Sequence, residues 1–216
     1  MHCTATLKIA TLLLLPPLLT CTHRSISKLA YNSEMIQKKI AEAGGIPLLV
    51  NALASSSNAK ELMQSAQLYS RAAYALSQLA KGNRDNQAKI TEAGAIPSLV
   101  GILGAPMWEL QANAAECLAN LATQNFDNQA AIARTGAIAP LCTLIREGSK
   151  EEVKEQAASA IWSLSSENKP NKDTVAKLGG IEPLVQLLLM GTTEVSLEQV
   201  RVQMGVVYRR TNTRWL

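Results

Sequence analysis

The stretch that most restricts how this chain can fold is written four times. EAGGIPLLV at 42–50 returns as EAGAIPSLV at 92–100, as TGAIAPLCTLI at 135–145 and as LGGIEPLVQLL at 178–188. With Ile46, Ile96, Ile138 and Ile181 as equivalent points, the copies stand 50, 42 and 43 residues apart. A period of that length indicates a stacked solenoid, in which each unit buries its apolar face only against the next.

Every copy places apolar side chains at offsets 0, 3, 4 and 7: Ile46, Leu49, Val50, Leu53; Ile96, Leu99, Val100, Leu103; Ile138, Leu141, Cys142, Ile145; Ile181, Leu184, Val185, Leu188. That spacing is one face of a helix. Pro47, Pro97, Pro140 and Pro183 fall in its first turn, where the missing amide hydrogen costs nothing. Gly44, Gly94, Gly136 and Gly179 stand just upstream, able to end a preceding helix with positive φ. Those preceding helices read MIQKKIAEA, NQAKITEA, NQAAIART and NKDTVAKL. After each second helix comes a polar break (SSSNAK, GAPMWE, REGSKEE), then a longer Ala-rich segment: QLYSRAAYALSQLA, LQANAAECLANLA and VKEQAASAIWSLS. Small residues there let neighbouring helices approach closely, so the unit is three helices in about 42 residues.

Composition agrees with an all-α chain, since aromatics are 4% with a single Phe and the core must be aliphatic. The net charge of +4 does not describe the body of the molecule. Between Glu34 and Glu198 there are 14 Lys and Arg against 17 acids, and the remaining basic residues lie at the two ends. Nucleic-acid binding is therefore not expected. Cys3, Cys21, Cys117 and Cys142 show no metal-ligand spacing, and the last two fall on apolar faces, as free thiols do in a reducing compartment.

The EAGxIPxLVxxL and AAxxLxNLA phrases resemble armadillo repeats over roughly residues 26–190, of the kind stacked in importin alpha, beta-catenin and vacuolar armadillo proteins. The resemblance implies an all-α, right-handed armadillo superhelix. Its three full repeats are expected at about 34–80, 83–122 and 126–166, with a partial repeat at 170–190 and another partial one at the start. Residues 1–25 read as an apolar leader, with Ile9–Leu19 the size of a secretory h-region but interrupted by Pro16-Pro17 and followed by no A-x-A site. Residues 191–216 read as a divergent basic tail lacking the Ala-rich face. Uncovered repeats at both ends suggest an internal piece of a longer array. His2 stands where the myristoyl anchor of vacuolar armadillo proteins requires a glycine, so that anchor does not carry over.

No catalytic motif, phosphate loop or metal cluster stands in the sequence, so neither an enzyme nor a cofactor is expected; REGSK at 146–150 is a solvated turn, and His2 and His23 are assigned to the leader. The resemblance implies instead a concave groove of third helices on which an extended peptide of a partner protein lies. In importin alpha a Trp and an Asn four residues apart recur on these helices. Here the Trp positions hold Tyr74, Glu116 and Ser159, and the Asn positions Gln78, Asn120 and Ser163, so only Asn120 matches. One turn earlier stand Arg71, Asn113 and Gln156. These nine residues form the expected partner-binding groove, of mixed polarity and little net charge. Trp162 is placed with Leu76 and Leu118 in the core, and Trp108 as exposed or wedged between repeats. The expected partner is a protein, with no nucleic acid or small-molecule substrate, and with the leader as the one open route to a membrane. The alternatives are a nuclear-import adaptor and the substrate-recognition part of a larger ubiquitin ligase. Location is expected to be cytoplasmic or nuclear, or secreted if residues 1–22 act as a signal peptide.

Overall fold

A computed structural model describes residues 16–54 and 65–190, with side chains from Cys21 to Leu188. Most of the expected signal-like run, the SSSNAK break and the basic tail lie outside the described residues. Within them the chain forms twelve α-helices and no strand. Three complete units follow one another: α2 (Glu34–Glu42), α3 (Gly45–Ala54) and α4 (Ala66–Ala80); α5 (Arg84–Glu92), α6 (Ala95–Ile102) and α7 (Trp108–Ala122); α8 (Phe126–Arg134), α9 (Ile138–Glu147) and α10 (Glu151–Ser165). A lone third helix, α1 (Pro16–Ala30), precedes them, and α11 (Lys169–Lys177) and α12 (Ile181–Met190) follow.

The start of the repeat body differs from the expectation. In the described residues α1 runs Pro16–Ala30, so residues 16–25 belong to the same helix as Ile26–Ala30.

The short–short–long rhythm follows from the residues at each joint. Gly44, Gly94, Gly136 and Gly179 have φ of 80°, 83°, 79° and 69°, and turn the first helix into the second. Asn83, Asn125 and Asn168 cap α5, α8 and α11, each side-chain oxygen accepting from the backbone N–H three residues on. Between the third helix and that cap the chain passes through a left-handed residue in every unit: Asn32, Gly82, Gln124 and Glu167. Only one of these is glycine.

The core is a continuous aliphatic layer between second and third helices. Ile46, Leu49, Val50 and Leu53 of α3 and their counterparts along α6 and α9 are buried, apart from half-buried Val100. Full burial of one such side chain contributes about 1.5–3 kcal/mol. Alanines at 72, 73 and 75 of α4, at 112, 114 and 115 of α7, and at 157, 158 and 160 of α10 are buried. They allow the third helices to lie side by side, and the most extensive helix contacts join α7 to α10 and α4 to α7. At the two ends the layer thins. Leu29 is 57% exposed although its counterparts Leu79, Leu121 and Leu164 are 0% exposed, and Ile181 of α12 is 36% exposed.

A second, polar layer locks the units together. The Gln87 amide lies 3.3, 2.8 and 3.3 Å from the carbonyls of Ala80, Asn120 and Thr123, reaching the ends of two successive third helices. Its oxygen accepts from the Asn125 side chain that caps the next unit, at 3.0 Å. Gln37 does the same with Ala30, Gln78, Lys81 and Asn83, and Gln129 with Ala122, Ser163, Ser166 and Asn168. All three glutamines are buried. At the fourth equivalent position stands Lys172.

Replacing Gln87 with Ala strands the Asn125 amide and helix-end carbonyls in the interior and is expected to destabilise the chain by about 2–4 kcal/mol in urea unfolding, whereas Lys89→Ala on the exposed side of the same helix changes it by less than about 0.5 kcal/mol. Gln124→Gly relieves a left-handed residue at the same joint and is expected to raise stability by about 0.5–1 kcal/mol on the same measurement.

Candidate functional site

Because α1, α4, α7 and α10 pack in parallel at a fixed register, equivalent side chains form rows running across the helices. One row holds Cys21, Arg71, Asn113 and Gln156; the next, Arg24, Tyr74, Glu116 and Ser159; the next, Lys28, Gln78, Asn120 and Ser163; and the last, Tyr31, Lys81, Thr123 and Ser166. All nine residues expected in the groove lie on these rows. Their roles differ from one another.

The carboxamides of α7 fasten it to α4. Asn113 donates to the Ser70 hydroxyl at 2.7 Å and carbonyl at 3.2 Å, and Asn120 donates to the Ser77 hydroxyl at 2.7 Å and carbonyl at 3.4 Å. Both asparagines remain half-buried, and among the described residues no hydrogen bond reaches their Oδ1 atoms. Each therefore keeps an acceptor for a backbone N–H laid over it. Gln78 and Ser163 do not serve that purpose, for each is only 2% exposed. Gln78 donates to Glu116 at 3.2 Å, and the Ser163 hydroxyl lies 3.2 Å from that of Thr123. These two are braces between adjacent third helices.

Arg71, Gln156 and Ser159 are half-buried and Tyr74 is exposed. Tyr74 stands next to Glu116 and Tyr31, and burial followed by these two neighbours raises its pKa. Glu116 is pushed above the ordinary carboxylate range by burial and by Glu152, while the Ser77 hydroxyl, Lys81 and Gln78 pull it back. Lys81 Nζ sits 5.5 Å from the centre of the Tyr31 ring. Among the described residues no group of His, Cys, Asp and Glu could hold a metal ion, and no helix is long and apolar enough to cross a membrane. Cys117 and Cys142 are buried free thiols whose pKa values burial pushes up, which leaves them protonated and unreactive.

The repeat architecture has a match along most of its length. The family model described as Plant U-box protein ARM repeat region fits residues 20–206. The chain belongs to this armadillo family. Among solved structures, a designed armadillo repeat protein in complex with the peptide (KR)4 is similar at TM-score 0.69 and 28% identity, covering 84% of this chain and 70% of that one. A computationally designed armadillo repeat protein for modular peptide recognition gives 0.70 and 28%, over 86% of this chain and 72% of that one. An engineered protein gives 0.70 and 27%, over 79% of this chain, which spans 66% of it. No curated protein matches.

Two expectations about this armadillo face are corrected. Trp162 does not occupy the core position of Leu76 and Leu118, which is taken by Ile161 at 3% exposure. One residue on, Trp162 stands where the other units have Ser77 and Ala119, on the side of α10 that faces away from α7, and is half-buried. Trp108 is half-buried against the core at the start of α7. His23 belongs to the body rather than to a leader. It stands on α1 where the other third helices carry Ala73, Ala115 and Ala158, is buried, and its Nδ1 has no hydrogen-bond partner. Rows through Tyr31, Lys81 and Thr123 were also missed. The signal that could have found them is the phrase ISKLAYN read as an equivalent of LSQLAKG and LANLATQ, which places α1 within the array.

Burial, and then the positive charge of Arg71, holds the His23 imidazole below its ordinary value of 6.5. The unfolded chain then binds the proton more readily than the folded one, so stability falls as pH drops through that value. Unfolding at about pH 7.5 and about pH 5.5 is expected to show this loss in the native chain and a smaller loss in His23→Ala, the residue its counterparts carry.

Proposed function

We propose that this chain is a non-enzymatic scaffold that binds an extended segment of a partner protein along the rows of α1, α4, α7 and α10. The observation that carries the reading is the pair Asn113 and Asn120, each oriented by its Ser partner on α4 and each keeping an acceptor, with exposed Tyr74 on α4 between those two serines in sequence. Such an array satisfies a peptide backbone while the neighbouring side chains select its residues. The designed relatives support it, since one is in complex with a peptide and another was made for peptide recognition. Buried free thiols accord with a reducing, cytoplasmic or nuclear location.

A second reading is favoured by the family itself. A match to the armadillo region of plant U-box proteins supports a role as the substrate-recognition part of a ubiquitin ligase, with the partner segment as the substrate's docking element. The import-adaptor reading has less support, because Tyr74, Glu116 and Ser159 hold the positions where a Trp would stack on Lys stems.

Affinity capture with the full chain tests the groove. A partner should be weakened about tenfold or more by Arg71→Ala with Tyr74→Ala, and left unchanged by Lys89→Ala on α5. Co-capture of ubiquitin-conjugating components supports the ligase reading. Displacement by a Lys-rich peptide supports import. A partner indifferent to the groove pair rejects the groove.

A further inference from the structure

The charges on the third-helix rows are sorted by helix. On α1 and α4 the rows carry Arg24, Lys28, Arg71 and Lys81 and no acid. On α7 and α10 they carry Glu116, and one turn earlier Glu109 and Glu152, and no base. Among the described residues none of these seven forms an ion pair; the pairs that do form, Arg146 with Glu147 and Lys169 with Asp173, lie elsewhere. Tyr74 stands at the seam between the two halves, next to Glu116.

Charge of opposite sign at the two ends of one groove, without an ion pair among the described residues although Lys81 acts on Glu116 across the seam, specifies what can lie in it. We infer that the groove takes an extended segment with acidic side chains at one end and basic side chains at the other, the acidic end over α1 and α4 and the basic end over α7 and α10. This rests on the groove reading above. The spacing follows from geometry. Neighbouring third helices packed about 9 Å apart are spanned by about three residues of an extended chain, so the midpoints of the two halves are separated by about six residues. That separation of about 18 Å is roughly twice the screening length at physiological salt, so each end recognises its own block independently. A uniformly basic peptide satisfies α7 and α10 but is repelled by α1 and α4, which separates this groove from one that reads Lys and Arg throughout.

The test uses the full chain and fluorescein-labelled peptides of about nine residues, three Asp, three uncharged residues and three Lys, which sets the block centres about six residues apart, in both orders, with an all-Lys-block peptide and an uncharged peptide as controls. At low salt the better bipolar peptide is expected to bind at least about fivefold tighter than either control. Glu109→Lys with Glu152→Lys, and separately Arg24→Glu with Lys28→Glu, should each remove that advantage; all four side chains are exposed, and circular dichroism checks that helicity is retained. A benzophenone at the acidic end should cross-link to α1 or α4. Cross-links to α7 or α10, or equal affinity for the all-Lys-block peptide, overturn the polarity and leave the groove standing. Cross-links to the outer helices α2, α5 or α8 overturn the groove itself. Failure of the bipolar peptides to bind rejects this inference, and the groove is then judged by the capture experiment.

Discussion

Each third helix is held in place by a glutamine buried in the first helix beside it. Gln87 reaches the carbonyl ends of α4 and α7 at once and takes the cap of α8 on its own oxygen, so one side chain fixes three units relative to one another. Aliphatic burial supplies more of the free energy, but it is non-directional and would tolerate a helix sliding past its neighbour. A buried carboxamide does not, because a shift of a residue's rise strands donors and carbonyls that have no water to turn to. Repetition of the arrangement at Gln37 and Gln129 turns a stack of amphipathic helices into one with a fixed register.

That register produces the rows on which the proposed groove rests. Asn120 meets Ser77 only because α7 stands at this height against α4, and the same alignment sets Glu116 beside Gln78 and Tyr74. Polar groups on the third helices are therefore divided between two tasks. Gln78 and Ser163 brace the stack, while Asn113 and Asn120 use their donors on the neighbouring helix and keep their acceptors. Alanine between them is what permits the approach. A larger residue in that layer has a consequence, as at His23, which fills an alanine position with an imidazole that burial and Arg71 keep from protonating.

The repeat, the helix types and the positive-φ glycines were legible because each rests on a local rule applied four times: an apolar face at offsets 0, 3, 4 and 7, and a helix stopped by Gly44, Gly94, Gly136 and Gly179. Three of the four rows were legible too, on α4, α7 and α10, once those helices were aligned. What could not be read was the division of labour within a row, since Gln78 and Asn120 are equivalent in sequence and differ only in which neighbour approaches them. The glutamine ladder was hidden for the same reason. Gln37, Gln87 and Gln129 look like polar residues of short solvated helices until the third-helix carbonyls are placed over them. Trp162 was misplaced by a weaker local argument, an alignment one residue out of step.

The inward and outward faces of the third helices obey different logics. Inward, the letters recur: Leu79, Leu121 and Leu164 at one position, and Ala73, Ala115 and Ala158 at another, because every joint must satisfy the same packing. Outward, no row repeats itself; Arg24, Tyr74, Glu116 and Ser159 share a position and nothing else. A partner lying across them, as proposed, would meet a cation, an aromatic ring, a half-buried carboxylate and a hydroxyl in turn. On the proposed reading, side-chain acceptors at Asn113 and Asn120 that any backbone N–H can use, set among side chains that differ from row to row, favour one particular segment over a repetitive one. Specificity in such a groove is therefore a sum over helices, and no single side chain is required to be decisive.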